Sequence, residues 1–219
     1  MKKAVVLLSG GLDSAVTLYL AKKKGFSCQC LIFDYGQRHR REIASARKIA
    51  VSSGCPFKVI RISFPWKGSA LLDNSKKLRL RIPGKSGIPA SYVPARNIVF
   101  LSFALSFAEA SGARALFIGA HTQDYSGYPD CRPGFFSAYR KVIAAGTKSG
   151  VEGKGIKIFT PLINKGKAEI VRLGDRLKVP FKFTWSCYRG GEKPCGSCDS
   201  CHLRARGFYQ AGLNDPAIG

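Results

Sequence analysis

The chain has 219 residues, 45% of them hydrophobic, and a formal net charge of +23 from 36 Lys and Arg against 13 Asp and Glu. This length and composition are typical of a globular protein with one sizeable core. The first apolar run, Ala4–Leu8, is too short for a signal peptide or a membrane span. We therefore expect a cytoplasmic protein without a membrane partner.

The positive charge favours polyanionic partners such as nucleic acids, nucleotides or acidic surfaces. A basic surface that only keeps the protein hydrated would explain the charge equally well. The densest basic run, Lys76–Lys85, is not part of an ordered nucleic-acid-binding motif. We therefore expect that the protein does not require nucleic acid, although its charge is compatible with weak tRNA contact.

Apolar runs and amphipathic stretches alternate along the chain. The predicted strands, in chain order, are Lys3–Leu8, Cys28–Phe33, Lys58–Ile62, Ala115–Ile118 and Ile156–Phe159. The predicted helices are Ala15–Lys24, Arg41–Ser53, Arg96–Ala110 with Gly112 as its C-terminal cap, Phe135–Ala145 and Lys167–Leu177. Strands that alternate with helices predict an α/β fold, a parallel doubly wound sheet with helices on both faces.

The composition also divides the chain. A main domain is expected over residues 1–180, and a C-terminal segment over 181–219 contains half of the eight cysteines. Within the main domain, residues 63–91 are rich in proline, glycine, serine and lysine, which predicts a flexible basic insertion rather than core.

The loop after the first predicted strand reads SGGLDS, Ser9–Ser14. In doubly wound folds, ligands bind at the carboxyl ends of the strands. Two adjacent glycines let successive N–H groups curl around an anion, and the next helix directs its positive end to the same point. The loop is not a Walker A motif, and the GKS stretch at Gly84–Ser86 lacks that motif's first glycine. The loop therefore predicts phosphate binding of another kind.

SGGLDS resembles the PP-loop of the ATP pyrophosphatase superfamily, whose members cleave ATP between the α- and β-phosphates. Four other segments narrow this resemblance: DYGQRH at 34–39, YVPARN at 92–97, GAHTQDYSGYPDCRP at 119–133 and CYRGGEKPCGSCDSCHLR at 187–204. With them, nearly the whole chain resembles the 7-cyano-7-deazaguanine synthase family of the queuosine and archaeosine pathways.

The resemblance implies an ATP-dependent carbon–nitrogen ligase with an adenine nucleotide alpha hydrolase-like fold. Such an enzyme converts 7-carboxy-7-deazaguanine and ammonia to the nitrile through an adenylated carboxylate and an amide. It implies catalytic roles for Asp13, as a ligand of Mg²⁺, and for Ser14 and Arg96, although Arg96 could instead form a surface ion pair. The ATP-binding residues it implies are Leu8, Ser9, Gly10, Gly11, Leu12, Asp13, Ser14, Ala15, Val16, Thr17 and Leu18.

A deazaguanine presents adjacent N–H donors, and a carboxylate is a good bidentate acceptor for them. Of the few acidic residues, Asp124 and Asp130 lie in the loop after the fourth strand, near Tyr128, whose ring could stack on the base. Together with Tyr92 they are the predicted substrate-binding residues. Either aspartate could instead cap the helix that begins near Pro133.

The C-terminal segment carries Cys187, Cys195, Cys198 and Cys201, with C-x2-C spacing between the last three. Four thiolates brought together by such tight spacing predict a closed tetrahedral Zn²⁺ site. Iron–sulfur ligation is the second interpretation, and disulfides are disfavoured in a reducing compartment. Asp199 is expected to open the final helix, and Cys131 is expected to be a packing residue.

Two other functions use the same features. A tRNA-thiolating PP-loop enzyme would use both the charge and the cysteines, but it needs an RNA-docking domain for which no span of the chain is left. A non-enzymatic RNA-binding zinc module would leave SGGLDS unexplained. A homodimer is the expected assembly, although no pattern in the sequence sets the oligomeric state.

Overall fold

The computed structural model of the protein describes residues 1–66, 69–73, 87–122 and 127–217. Within these residues lies a five-stranded parallel sheet in the order β3-β2-β1-β4-β5. The strands are β1 Lys2–Leu7, β2 Phe26–Asp34, β3 Phe57–Arg61, β4 Ala115–Phe117 and β5 Lys157–Phe159. The helices are α1 Leu12–Lys23, α2 Arg41–Ser52, α3 Arg96–Ala110, α4 Pro133–Gly146, α5 Lys148–Val151, α6 Lys167–Arg176 and α7 Asp199–Ala211.

The predicted α/β fold is confirmed, and each predicted strand and helix is present. The largest difference is at α1, which begins at Leu12 rather than Ala15, because Gly11 already has the extended backbone of a helix N-cap and Asp13 suits the first turn. Gly112 ends α3 as expected: its φ is +69°, and its N–H donates to the carbonyl of Glu109.

The sheet is buried on both faces. Val5 and Val6 of β1 are both 0% exposed, yet they point to opposite faces and belong to different apolar clusters. One cluster contains side chains of α1, α2 and α6, and the other contains side chains of α3 and α4. Strands buried on both faces need continuous apolar runs rather than alternating patterns, which is what the sequence of β1 provides.

The strand order reverses between β1 and β4. The chain leaves β1 towards β2 on one side and returns after β3 to β4 on the other side. At such a switch point, the loops after the two strands separate and leave a crevice at their carboxyl ends. SGGLDS and the segment beginning at Gly119 are the two loops concerned.

Part of the predicted insertion at 63–91 packs inside the protein. Ala70 and Leu71 are 0% and 8% exposed, the N–H of Ala70 donates to Ala90, and the carbonyl of Leu71 accepts from Arg38. This apolar part therefore belongs to the core. The basic run at 76–85 lies outside the described residues, and the flexibility of the insertion stays a prediction.

The C-terminal segment shares the main core. Helix α7 packs on α6, and Phe208 makes an edge-on contact with Phe181 at 5.2 Å between ring centroids. Arg204, 4% exposed, donates to both carboxylate oxygens of Asp215. The domain boundary at residue 180 stays a prediction. Among the described helices, none has the length and apolar character needed to cross a bilayer.

Candidate active site and metal centre

Two serine hydroxyls hold the loop after β1 in a tight curl. The Ser14 hydroxyl accepts hydrogen bonds from the N–H and the hydroxyl of Ser9, at 3.2 and 3.1 Å, and donates to the carbonyl of Gly11 at 2.9 Å. The Ser9 hydroxyl accepts from the N–H of Gly11 at 3.3 Å. Gly10 has φ +87°, which glycine adopts without strain. The curl leads directly into the positive end of α1, as an anion site requires.

Backbone atoms of other elements press on this loop from two sides. A Cβ at Gly10 would overlap the carbonyl oxygen of Glu42 and lie 2.8 Å from the nitrogen of Ala46, both in α2. A Cβ at Gly119, after β4, would lie 2.9 Å from the carbonyl of Asp13. Glycine at both positions therefore lets α2 and the end of β4 confine the loop.

Asp13, in the first turn of α1, lies in an ion-pair cluster. Nζ of Lys167 donates to its two oxygens at 2.9 and 3.0 Å, and Nε2 of His121 lies 3.3 Å from Oδ2. Burial alone would raise the pKa of the Asp13 carboxyl, but Lys167 and His121 hold that pKa well below its usual range. Asp13 is therefore an anion at neutral pH.

Sequence reasoning identified Asp13 but neither of its partners. Lys167 is 154 positions away and appeared only as the start of a predicted helix. His121 lies in the loop after β4, and the sequence predicted that this loop lies at the same edge of the sheet as SGGLDS. That position was the one indication in the sequence that His121 is near the site.

The predicted ATP-binding stretch splits into two parts. Of the residues from Leu8 to Leu18, those that line the cavity in front of the loop are Leu8, Ser9, Gly11, Leu12, Asp13 and Ser14. Gly10 lies against α2, and Ala15, Val16, Thr17 and Leu18 are 0% exposed within α1. The second part therefore supports the loop from the core, because this turn of α1 is buried on all sides.

Arg96, the first residue of α3, faces the same cavity. Its Nη1 donates to the hydroxyl of Tyr35 at 3.0 Å, and its guanidinium lies 5.6 Å from the centroid of the Tyr35 ring. Within the described structure this is a cavity contact, so the surface ion pair considered for Arg96 was the wrong alternative.

Glu42, which sequence reasoning missed, lines the cavity beside Arg96. Its polar neighbours are Arg96, Gln37 and Tyr35. Burial raises the pKa of Glu42 to about 7, although these three neighbours favour the anion. Its position in the helix that follows DYGQRH was the only hint of a role.

The predicted substrate-binding tyrosines lie together but play different parts. The rings of Tyr92 and Tyr128 are 5.9 Å apart. Tyr128 lines the cavity and shares a 2.7 Å hydrogen bond with Ser91, whereas Tyr92 accepts from the N–H of Ala95 at the start of α3 and does not line the cavity. Asp124, the other candidate of this loop, lies outside the described residues.

Asp130 is 5% exposed, and its carboxylate accepts from the N–H of Asn97 at 3.0 Å. It therefore caps α3, and the suggested cap of the helix at Pro133 was wrong, because the loop folds back over α3 instead. A direct contact of Asp130 with substrate stays a prediction. Burial and Asp130 raise the pKa of the neighbouring Cys131 to about 11, which agrees with a packing role.

The four C-terminal cysteines converge as predicted. The sulfur atoms of Cys187, Cys195, Cys198 and Cys201 lie within 4.8 Å of one another. A tetrahedral zinc ion with bonds of about 2.3 Å needs sulfur atoms about 3.8 Å apart, so the group fits one ion. The Cys187 sulfur also accepts from the N–H groups of Arg189 and Cys195, both at 3.4 Å, as a thiolate ligand would. A larger iron–sulfur cluster would need more widely separated cysteines.

This cysteine segment is attached to the phosphate loop. The N–H of Trp185 donates to the carbonyl of Gly10 at 2.9 Å, and its indole N–H donates to the carbonyl of Cys187 at 2.8 Å. The ring of His39 packs edge-on against Trp185 and leaves no room for a Cβ at Gly190. The segment with the four cysteines therefore forms one wall of the cavity.

The cavity has a volume of about 890 Å³. The phosphate loop, the segments after β2 and β4, the starts of α2, α3 and α6, and the cysteine segment all contribute to its lining. Its size is at the upper end of the range for small-molecule sites.

The sequence also matches a family model, described as queuosine biosynthesis protein QueC, over residues 3–212. The chain belongs to this family. Two curated relatives are named 7-cyano-7-deazaguanine synthase. The one from Trichodesmium erythraeum is 52% identical over 99% of this chain and 100% of its own, and the one from Nostoc sp. is 51% identical over 98% and 96%.

Solved structures of other proteins share the fold at low sequence identity. The NMN synthetase from Francisella tularensis superposes with a TM-score of 0.50 and 14% identity, over 97% of this chain and 87% of that one. A predicted subunit of a tRNA methyltransferase from Methanocaldococcus jannaschii superposes with a TM-score of 0.51 and 19% identity, over 80% and 75%. These similarities concern the fold alone.

Proposed function

We propose that the chain is an ATP-dependent carbon–nitrogen ligase that makes 7-cyano-7-deazaguanine from 7-carboxy-7-deazaguanine and ammonia. The observation that carries this proposal is the curled SGGLDS loop, with the Asp13–Lys167–His121 cluster at its end, opening into a cavity large enough for a nucleotide and a base. The curated relatives bear the name of this activity over their full length.

The first step activates the carboxylate. The N–H groups of the loop and the positive end of α1 hold the pyrophosphate part of ATP, while the substrate carboxylate attacks the α-phosphate. The nearby cation of Lys167 balances charge on the leaving pyrophosphate. Asp13 fits a ligand of Mg²⁺, which takes one or two carboxylates together with the substrate phosphates and neutralises charge on them.

Ammonia then displaces AMP and leaves an amide. A second ATP activates the amide oxygen in the same way, and loss of AMP forms the nitrile. Both activations develop negative charge that the guanidinium of Arg96 can stabilise from the cavity wall. The Ser14 hydroxyl keeps the loop in register through its three hydrogen bonds.

The base is assigned to the far end of the cavity. Tyr128 offers a ring for stacking there, with Tyr92 behind it, and Asp124 and Asp130 are the carboxylates proposed for its N–H edge. Zn²⁺ held by the four cysteines is structural, since all four ligands are protein thiolates. We also propose that the protein is a homodimer in the cytoplasm, where reducing conditions preserve thiolate ligands.

The test is incubation with ATP, ammonia and 7-carboxy-7-deazaguanine in the absence of RNA. Mass spectrometry should show the amide and then the nitrile, with AMP and pyrophosphate released. Release of ADP and orthophosphate would contradict the proposal. A requirement for tRNA would favour a thiolating enzyme instead.

A further inference from the structure

We propose that Glu42 is the catalytic base that takes the proton from the substrate nitrogen, both when the amide forms and when it is dehydrated. This inference rests on the proposed function and adds a residue to it.

The position of Glu42 places its carboxylate next to the reacting end of the cavity. It lies in the first turn of α2, whose backbone touches Gly10 of the phosphate loop, and its side chain lines the cavity beside Arg96. We place the α-phosphate and the activated carbon between Arg96 and the loop that would hold pyrophosphate, since both line the cavity. Glu42 is therefore on the side of the cavity where nitrogen loses its protons.

The neighbours of Glu42 leave it suited to exchange a proton. Arg96 faces it from α3, and Tyr35 and Gln37 face it from the segment after β2. The hydroxyl of Tyr35 accepts a 3.0 Å hydrogen bond from the guanidinium of Arg96, and both groups are neighbours of the Glu42 carboxylate. Burial raises the pKa of Glu42 to about 7 and raises that of Tyr35 far above neutrality, so of this group Glu42 is the one that titrates near pH 7.

The proton balance requires such a group twice. When ammonia adds to the adenylated carboxylate, the new carbon–nitrogen bond carries a surplus proton, which passes to Glu42 as the carbon–oxygen bond to AMP breaks. In the second half, the adenylated amide loses one N–H proton to water, and Glu42 takes the last N–H proton as the carbon–oxygen bond to AMP breaks and the triple bond forms. Water must clear the proton from Glu42 between the two steps.

The other acidic residues of the cavity wall are less suited to this task. The carboxylate of Asp13 is held by Lys167 and His121 and stays an anion of low basicity. Asp199 is in the first turn of α7, beside Cys198 of the metal group. General-base catalysis favours a group whose pKa lies near the working pH, which is the case for Glu42.

The experiment compares E42Q, E42D and a control, E152Q, in the full-length protein. Glu152 lies just after the short helix α5 and is partly exposed, with a single 3.9 Å ion pair to Lys148. Adenylate formation is measured by pyrophosphate–ATP exchange with the carboxylate alone. Dehydration is measured with the purified amide as substrate, so that the ionisation of ammonia does not affect the pH profile.

We expect E42Q to keep pyrophosphate exchange and its KM for the carboxylate, while kcat for dehydration falls by about 100-fold or more. The wild-type kcat should rise as pH increases through about 7, where Glu42 becomes an anion, and E42Q should lose this rise. E42D should restore part of kcat together with the pH dependence. E152Q should match wild type throughout.

Two results would overturn the inference while leaving the proposed function in place. E42Q could turn over the amide like wild type, or it could lose pyrophosphate exchange and raise KM in parallel, which would assign Glu42 to substrate binding or to the fold. Wild-type protein that forms neither adenylate nor nitrile would instead overturn the proposed function, and this inference with it.

Discussion

Replacing Gly119 with alanine should displace the backbone of the loop Ser9–Ser14 where it meets the end of β4. The added Cβ would lie 2.9 Å from both the carbonyl carbon and oxygen of Asp13 and 3.0 Å from the nitrogen of Ser14. Ordinary contacts begin at 3.4 Å, so the start of α1 or the end of β4 must move by about half an ångström. None of these atoms belongs to a flexible side chain, so the displacement falls on the backbone that positions the Asp13 carboxylate.

The expected magnitudes follow from this displacement. Overpacking of this kind costs about 1–3 kcal/mol, which corresponds to a fall in melting temperature of about 3–10 °C for a chain of this size. A shift of catalytic groups by a fraction of an ångström should also reduce kcat on the order of 10-fold to 100-fold. Thermal unfolding followed by circular dichroism, and pyrophosphate release at saturating ATP, measure the two effects separately.

Gly134→Ala is the matched control. Gly134 lies in the first turn of α4, and a Cβ there would meet no atom within 4 Å. Because alanine favours helix, this variant should keep wild-type activity and be as stable or slightly more stable. If Gly119→Ala has the melting temperature and turnover of Gly134→Ala, the loop is not confined by β4 as the structure indicates.

Two further predictions concern charge and metal. Asp13→Asn should abolish pyrophosphate release and cost about 2–4 kcal/mol at pH 7, because it removes the anion that Lys167 and His121 contact in a nearly buried position. The pKa of Asp13 is lowered in the fold, so its contribution is present above the usual carboxyl range and is lost in acid. Urea unfolding should therefore show the two proteins converging as pH falls below about 4, and a constant difference would contradict the ion pair. Cys198→Ala should reduce bound zinc from about one ion per chain to near zero and lower both melting temperature and ATP binding, whereas Cys28→Ala, in β2, should keep its zinc. A zinc-free Cys198→Ala protein with unchanged ATP binding would show that the cavity wall does not depend on the metal.

The fold was predictable because short stretches of sequence indicate its strands and helices. A few consecutive residues show the apolar run of β1 and the amphipathic pattern of α2, and the alternation of such stretches is compatible with few topologies. The tight loop SGGLDS was predictable for the same reason: two glycines between a strand and a helix form one contiguous motif. The four cysteines are equally compact, within fifteen residues.

What could not be predicted depends on contacts between distant segments. Lys167 reaches Asp13 only because α6 packs beside α1, and no spacing in the sequence expresses that contact. The contact of Asp130 with the N–H of Asn97, 33 positions earlier, was missed, because neither its predicted role in substrate binding nor the alternative of a cap near Pro133 involved α3. Glu42 looked like one charge on an amphipathic helix, since its role depends on burial against Arg96 rather than on its neighbours in sequence.

The scarcity of acidic residues gives these contacts a common meaning. Lys and Arg outnumber Asp and Glu by 36 to 13. A carboxylate that faces the cavity therefore offsets part of the positive charge there, and it is not one of many carboxylates on a mixed surface. Asp13 forms an ion pair with Lys167, and Glu42 lies near the guanidinium of Arg96. In the proposed function, the phosphates of ATP would compete with Asp13 for the ammonium of Lys167, and the Asp13 carboxylate would hold the Mg²⁺ that neutralises their charge. We therefore propose that the positive charge serves the binding of phosphates, and that Asp13 holds charge while Glu42 moves protons.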